Sequence, residues 1–338
     1  MSDSPFLVDV WRGALAESRH RGAYVVVDAG GIVVEAKGDP ERAVFARSAI
    51  KPLQALPLIE SGAAEAFAVR DDELALACAS HSGEPFHVAA VTAWLGRIGL
   101  SENDLECGAH APYHASSIKA LHAASQEPTQ AHNNCSGKHT GVLTACRHLK
   151  DPTRGYINAE HPAQQRIARV LEEMCNVSLD RAPRGIDGCG FPQIAIPLRA
   201  LAHGIARLGA PDGLARDRAA SCRRIASAMT THPAMVSGTG RFCTRAMEAA
   251  RGKAVVKTGA EGVYMAAIPA KGYGIALKVD DGAARAAEVV MATLLLRHGG
   301  LEATQIAAFE ALQRPNVTNV AWAIVCELRL APGFRVGF

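Results

Sequence analysis

Short apolar runs lie near both ends of the chain, and longer runs with a helical repeat lie between them. Ala23 to Val27 and Ile32 to Ala36 are two of the short runs, and the segment Asp28-Ala29-Gly30-Gly31 joins them. Apolar runs linked by a short glycine-bearing segment are typical of a β-hairpin. Toward the other end, turns that contain glycine separate three more strand-like runs: Ala254 to Val256, Val263 to Ile268 and Gly274 to Val279.

Helical periodicity dominates the middle of the chain and returns after the last strand-like run. The stretches that show it are Val88 to Ile98, Gln164 to Cys175, Ile194 to Leu208, Leu214 to Met229 and Ala283 to Arg297. This order predicts an α+β fold with one antiparallel sheet formed from both ends of the chain and an inserted helical subdomain. We expect a single domain over 1–338, with sheet parts at about 20–40 and 253–300 and helices at about 45–250.

Composition narrows the class of protein. The chain has 338 residues, of which 49% are hydrophobic and 20% charged, and these values are ordinary for a globular domain. The net charge of +3 is too small to indicate nucleic-acid binding, and the arginines at 218, 223 and 224 fit a solvated helix face. No apolar stretch is long enough to span a membrane, and the first residues do not resemble a signal peptide. We therefore expect a cytoplasmic protein without nucleic-acid or membrane partners.

The nine cysteines are an odd number and form no recognisable disulfide framework, so we expect free thiols. Four of them lie in apolar runs and are expected in the core: Cys78, Cys146, Cys175 and Cys326. Cys135 and Cys189 lie instead in polar, glycine-bearing segments, where a chemical role is possible.

The first candidate for chemistry is Ser48-Ala49-Ile50-Lys51, followed by Pro52. If Ser48 caps a helix that begins with Lys51 and Pro52, the hydroxyl and the amine share one face. A neutral lysine can take the proton of such a serine and activate it as a nucleophile. On these four residues alone, a capping serine followed by a surface lysine is the simpler interpretation.

Lys257-Thr258-Gly259 follows a predicted strand and resembles the third motif of serine β-lactamases and penicillin-binding proteins. Their middle motif, S-D-N, is absent. The segment Ala79-Ser80-His81-Ser82-Gly83-Glu84 stands in its place, and by itself it fits a helix start capped by Ser80 or Ser82.

Two further segments remain open to more than one interpretation. Cys135, Cys189 and Asp187, with either Lys138 or His139, could gather around Zn²⁺. Spacing alone favours buried thiols, because no C-x-x-C pair is present. Ser237-Gly238-Thr239-Gly240 lacks the flanking strand of a nucleotide-binding loop, which favours a loop or a helix cap.

Taken together, the motifs resemble those of class 3 (rhizobial-type) L-asparaginases. The matching blocks occur in order over roughly residues 6 to 320: ARSAIKP (46–52), CASHSGE (78–84), NNCSGKH (133–139), IDGCGFP (186–192) and VKTGAEG (256–262). The fold of that family is similar to that of serine β-lactamases and glutaminases, which accounts for the S-x-x-K and K-T-G segments. The segment from Val317 to Phe338 matches no pattern.

The resemblance implies hydrolysis of L-asparagine to aspartate and ammonia by two Ser-Lys pairs. Ser48 with Lys51 would form the nucleophile pair, and Ser80 with Lys257 a supporting pair. It further implies a homodimer and a zinc site that orients the substrate, formed by Cys135, Lys138 and Cys189 and completed by Asp187 or water. His139 and Asp187 are candidates for contact with the α-amino or α-carboxylate group of the substrate.

Two other classes of function stay open. A glutaminase or another amidohydrolase on the same scaffold differs by small changes in the pocket, since one methylene is worth only about 1–3 kcal/mol of discrimination. A non-catalytic, zinc-stabilised protein that binds an amino acid would leave two serine-lysine pairs unexplained. Release of ammonia from L-asparagine separates these possibilities.

Overall fold

The computed structural model describes residues 4–334 and contains strands in two sheets. The strands are β1 (Phe6–Arg12), β2 (Leu15–Asp28), β3 (Val33–Lys37), β4 (Ala43–Phe45), β5 (Arg184–Ile186), β6 (Pro192–Pro197), β7 (Val255–Thr258), β8 (Val263–Ile268), β9 (Tyr273–Val279), β10 (Asn316–Thr318) and β11 (Ile324–Leu330).

The helices fill the middle of the chain and return after β9. They are α1 (Lys51–Gln54), α2 (Leu56–Glu60), α3 (Ala63–Ala66), α4 (Asp71–Ala77), α5 (Pro85–Arg97), α6 (Ala115–Ala123), α7 (Ser136–Leu149), α8 (Pro162–Cys175), α9 (Leu198–Gly209), α10 (Arg216–Thr231), α11 (Pro233–Ser237), α12 (Phe242–Ala250), α13 (Ala284–His298) and α14 (Ala303–Gln313). Short 3₁₀ turns are Arg47–Ile50, Glu102–Asp104, Gln130–His132 and Pro269–Lys271.

The larger sheet is antiparallel and draws its strands from both ends of the chain, which confirms the predicted α+β layout. Its strand order is β10-β11-β1-β2-β9-β8-β7, and β3 pairs with β2 outside this path. The predicted hairpin is β2 with β3, and the three predicted later strands are β7, β8 and β9. The sheet is wider than expected, because β1 and the pair β10 and β11 extend it.

Helices cover the central strands of this sheet. All six residues of β8 are buried, which requires cover on both faces because successive side chains point in opposite directions. Helices α9 and α13 both pack against β8 and β9. Gly274 of β9 permits the close approach of α9, since a Cβ at that position would lie 2.0 Å from the carbonyl oxygen of Ala202.

One predicted helix was wrong at its start. Residues 194–197 belong to strand β6, which pairs with β4 and β5 in a separate three-stranded sheet, and helix α9 begins only at Leu198. Pro197 explains the boundary, because proline cannot donate a backbone hydrogen bond and its ring disfavours a helical residue before it. The remaining predicted helices match α5, α8, α10 and α13 within a few residues.

Two other expectations concern the thiols and the C-terminal segment. All nine cysteines are free, as predicted, and all nine are buried, including the four that were expected in the core. The segment that begins at Val317 contributes to β10 and β11 as far as Leu330, and residues 335–338 lie outside the described part of the chain. Within residues 4–334, no helix has both the length and the apolar character that a membrane crossing needs.

Candidate active site

Ser48 lies in the 3₁₀ turn Arg47–Ile50, between strand β4 and helix α1. Arg47 has a φ angle of 51°, a left-handed conformation that is uncommon for a residue with a side chain and is typical of functional sites. The Ser48 side chain is half-buried, and its hydroxyl has no hydrogen-bond partner in the described chain. The expected helix cap by Ser48 is therefore wrong, whereas Lys51 and Pro52 do begin a helix.

The segment Lys257-Thr258-Gly259 lies directly beside this turn. A Cβ at Gly259 would meet the carbonyl oxygen of Ala46 at 2.7 Å and the backbone nitrogen of Ala49 at 3.0 Å. Only glycine allows such an approach without displacement of the backbone. The glycine therefore brings the end of β7, with its lysine, next to the turn that carries Ser48.

Two buried lysines meet at the hydroxyl of Ser80. The Nζ of Lys51 donates to Ser80 Oγ at 3.1 Å, and the Nζ of Lys257 donates to the same atom at 2.9 Å. Lys51 also donates to the carbonyl oxygen of Ala79, and Lys257 to that of Thr258. Both lysines are only 1% exposed. The predicted pair of Ser80 with Lys257 thus forms a hydrogen bond, whereas Ser48 and Lys51 do not bond directly.

The environment of Lys257 favours its neutral form. Burial, followed by the positive charge of Lys51, lowers the pKa of Lys257 to about 7. A lysine with such a pKa holds its proton only part of the time near neutral pH. It can therefore act as a base that an ordinary surface lysine could not be.

The predicted metal residues lie next to this lysine pair. Lys51 Nζ donates to Cys135 Sγ at 3.1 Å, and Lys138 Nζ donates to Cys189 Sγ at 3.1 Å. Cys135 and Cys189 also hydrogen-bond to each other. The structure therefore brings Cys135, Lys138 and Cys189 together in one buried group, which the spacing of the cysteines could not predict.

The two thiols share one negative charge in this group. The hydrogen bond from Cys189 and the nearby charges of Lys51 and Lys138 lower the pKa of Cys135 well below its ordinary value. That hydrogen bond and burial raise the pKa of Cys189. Burial by itself would lower the pKa of Lys138, but the sulfurs of Cys189 and Cys135 outweigh it and raise the pKa.

Asp187 lies at the edge of the thiol group and is engaged elsewhere. Its carboxylate forms an ion pair of 2.6 Å with Arg47 and accepts hydrogen bonds from the backbone of Gly188 and the side chain of Gln193. Within residues 4–334, no three His, Cys, Asp or Glu side chains are grouped closely enough to hold a metal ion. The donors that converge here are thus two thiols and one amine.

His139 presents a single unused donor. The hydroxyl of Tyr156 accepts a hydrogen bond from the backbone of Glu106 at 2.9 Å and lies 2.7 Å from His139 Nδ1, to which it can donate its own proton. This arrangement leaves a hydrogen on Nε2, an atom that is buried and has no partner in the described residues. Burial lowers the pKa of His139 well below its ordinary value, so the ring is neutral at pH 7.

Sequence reasoning missed the residues that hold these side chains in place. Arg47 adjoins Ser48 in the ARSAIKP block and binds Asp187, but nothing in the sequence indicates that the two blocks meet. Tyr156 belongs to no motif, and only the fold places it beside His139.

Comparison with known proteins gives a family and several structural likenesses. The model of the family described as L-asparaginase II matches residues 8–330. No curated protein matches the chain. A crystal structure described as Mglu is 15% identical, with a TM-score of 0.43, and the match covers 82% of this chain and 67% of that one. A β-lactamase from Mycobacterium bovis is 14% identical, with a TM-score of 0.41, and the match covers 83% of this chain and 95% of that one.

Proposed function

The chain belongs to the L-asparaginase II family, and from that premise we propose that it hydrolyses the side-chain amide of L-asparagine to L-aspartate and ammonia. The observation that carries the mechanism is the meeting of two buried lysines at one serine hydroxyl, beside a second serine that is open to a substrate. Serine activated by a neutral lysine is an established arrangement for acyl transfer.

Ser48 is the nucleophile in this proposal. Its hydroxyl is half-buried and unpartnered within the described residues, so a substrate amide can approach it. Ser80 is 5% exposed and accepts hydrogen bonds from both lysines, which suits a relay better than an attacking group. The strained backbone of Arg47 fits the same assignment, because strain is often stored beside a reacting residue.

The lysine pair supplies the base. Since Ser80 bridges Lys51 and Lys257, a proton can pass between the two amines through its hydroxyl. Neutral Lys51 accepts the proton of Ser48 as Oγ bonds to the amide carbon. The proton then passes to the leaving nitrogen as the carbon–nitrogen bond breaks, and ammonia departs. Water cleaves the resulting β-aspartyl ester by the reverse proton movements.

Charge that develops on the substrate oxygen requires hydrogen-bond donors. The backbone N–H of Ser48, in the turn that begins the helical segment, is our candidate for one of them. His139 and Asp187 remain candidates for contact with the rest of the substrate. The first holds a neutral N–H without a partner in the described chain, and the second a carboxylate that suits the α-ammonium group.

A zinc ion fits the thiol group, and we propose that Cys135, Lys138 and Cys189 hold it. Thiolates are preferred zinc ligands, and three protein donors leave a fourth position open. All three side chains are buried and already in mutual contact, although the lysine must lose its proton to bind a metal. When bound, zinc supplies a fixed positive charge that orients the substrate beside Ser48. The nucleophile and the base come from the protein itself.

Release of ammonia from L-asparagine by the purified protein tests the proposal. L-Glutamine, assayed in parallel, tests the glutaminase alternative. Binding of L-asparagine without any ammonia release would instead support the non-catalytic amino-acid-binding alternative.

A further inference from the structure

The turn Ser237-Gly238-Thr239-Gly240 and the residue after it have no role in the mechanism above. The turn links α11 to α12, so the interpretation as a loop rather than a nucleotide site fits the fold. Gly238 has a φ angle of 110°, and a Cβ there would lie 1.9 Å from the hydroxyl oxygen of Ser82. The absence of a side chain at Gly238 therefore allows the turn to pack closely against the segment that carries Ser80 and Ser82.

Glu84 fastens the turn to that segment. Its buried carboxylate accepts hydrogen bonds from the backbone N–H of Thr239 at 2.8 Å, the hydroxyl of Thr239 at 2.7 Å and the hydroxyl of Ser82 at 2.6 Å. His114 lies 3.8 Å away on the other side. Burial would raise the pKa of Glu84, but these hydrogen bonds outweigh it and lower the pKa, so the carboxylate is charged at neutral pH.

Arg241 comes next in the chain and reaches the catalytic segment. Its Nη1 donates to the carbonyl oxygen of Ser80 at 3.3 Å, and its guanidinium lies 5.5 Å from the ring centre of exposed Tyr113. Arg241 therefore contacts the main chain of Ser80, while the two lysines contact the hydroxyl of the same residue. A guanidinium has five N–H donors in a rigid fork, so most of them remain for another partner.

Glu288 lies within range of the charge of Arg241 but does not form an ion pair with it. Arg241 forms no ion pair within residues 4–334, and neither do Lys51 and Lys257. Glu84 is held by Ser82 and Thr239. A guanidinium that has no ion-pair partner and lies near an open serine attracts an anionic group of a substrate.

We propose that Arg241 binds the α-carboxylate of the substrate, and that Glu84 and Thr239 act as positioning residues for it. The inference rests on the proposed hydrolysis of L-asparagine and identifies the side chain that selects an amino acid over a simple amide. An asparagine whose amide carbon lies at Ser48 needs a site for its α-carboxylate about one amino-acid length away. The guanidinium of Arg241 can bind both oxygens of a carboxylate, whereas His139 offers a single donor.

Three amides separate binding of the carboxylate from support of the fold. L-Asparagine and succinamic acid carry the carboxylate, whereas 3-aminopropanamide lacks it. Arg241→Met should raise KM for the first two by roughly 10- to 100-fold and leave kcat/KM for the third unchanged. Arg241→Lys should recover part of the loss, because it restores the charge without the fork. Arg245→Met, which removes an exposed arginine one turn further along α12, should leave all three substrates unaffected.

An equal loss of activity on all three amides in Arg241→Met would overturn the proposal, since a general effect on the fold or on the lysine pair does not depend on the substrate carboxylate. A shifted pH profile with unchanged KM values would also overturn it. That result would assign Arg241 to the electrostatics of the lysines.

The positioning role of Thr239 is tested by one substitution that removes its hydroxyl and one that keeps it. Thr239→Val removes the hydroxyl that bonds to Glu84 and should raise KM for L-asparagine several-fold, whereas Thr239→Ser keeps the bond and should restore it. Kinetics on 3-aminopropanamide should not change in either variant. Failure of the serine variant to restore KM would contradict the positioning role.

Direct binding distinguishes this inference from the proposed function. Succinate carries the carboxylates but has no amide to hydrolyse, so calorimetric titration measures the anion site alone. Binding to the unaltered protein and to Arg245→Met, with loss in Arg241→Met, supports the site even if the protein releases no ammonia from L-asparagine. Equal binding to all three proteins overturns the site even if L-asparagine is hydrolysed.

Discussion

Lys257 and Lys138 are both lysines and are buried to almost the same degree, yet the pKa of one is lowered and the pKa of the other is raised. Lys257 is 1% exposed and Lys138 is 3% exposed. Burial and the charge of Lys51 lower the pKa of Lys257 to about 7. The pKa of Lys138 is raised, because the sulfurs of Cys189 and Cys135 outweigh burial. The nature of the nearest partner, rather than burial, decides whether a buried lysine is a base or a cation.

This difference divides the site into two functional sides. The serine side holds Lys51 and Lys257 around Ser80, and there the lowered pKa of Lys257 lets it give up a proton. The thiol side holds Lys138 bonded to Cys189, two of the residues that we propose to hold zinc. We therefore expect changes on the serine side to act on the chemical step and changes on the thiol side to act on substrate binding.

The largest effect should follow loss of the nucleophile. Ser48→Ala should reduce kcat by on the order of 10⁴-fold or more, because the serine and its base act as a unit. The fold should survive, since the Ser48 hydroxyl makes no hydrogen bond within residues 4–334. Ser221→Ala is the matched control, because this buried hydroxyl bonds only to its own helix. Near-normal ammonia release by Ser48→Ala would contradict the assignment of Ser48 as the nucleophile and would favour Ser80 in that role.

Loss of the metal site should have a smaller effect and a different signature. Cys189→Ser, or treatment with a chelator, should raise KM for L-asparagine by roughly 10- to 100-fold with a smaller change in kcat, because an interaction lost equally from ground and transition states appears in KM. Metal analysis of the purified protein provides the companion measurement. A collapse of kcat would show that the thiol side takes part in the chemistry.

The pH profile tests the base. Since the pKa of Lys257 is lowered to about 7, activity should fall as pH drops below that value and reach a plateau above it. The apparent pKa belongs to the pair of lysines, so Lys257→Met should shift the midpoint as well as reduce the rate. A profile that is flat from mildly acidic to alkaline pH would contradict a lysine base.

The smallest effect concerns stability. The pKa of Lys257 is about 7 in the folded protein, against 10.5 for an ordinary lysine, so between these values the unfolded chain binds more protons. The free energy of unfolding should therefore rise with pH across this window. Lys257→Met should remove this rise and add about 1–3 kcal/mol near neutral pH, because no charge is then buried. Lys119→Met, at an exposed position on α6, should do neither in the same denaturant titrations.

Sequence reasoning predicted most of the fold because the signals it used are local. The short apolar runs of β2, β3, β8 and β9 and the helical repeat of α5 and α8 follow from short stretches of chain. Strands β1 and β11 were not predicted, and their pairing with each other joins the two ends of the described chain, which no local pattern reveals. The start of α9 was misjudged because the apolar repeat of residues 194–197 fits a strand as well as a helix.

The candidate site divides in the same way. The family resemblance proposed Ser48, Lys51, Ser80 and Lys257, but the direct contact of Lys51 with Ser80 instead of Ser48 is a property of the folded chain. The Arg47–Asp187 pair likewise joins two distant blocks. The zinc ion, the homodimer and the cytoplasmic location stay predictions, since no observation described above bears on them directly.

The pairing of β1 with β11 also determines when the larger sheet can be completed during synthesis of the chain. Val8 lies opposite Leu330, so the backbone edge of β1 stays without its partner until almost the whole chain has left the ribosome. Such distant closure is slow, and an open strand edge is a template for aggregation. Truncation before Ile324 would leave that edge permanently exposed, so a shortened chain should accumulate as insoluble protein even though every residue proposed for catalysis is still present.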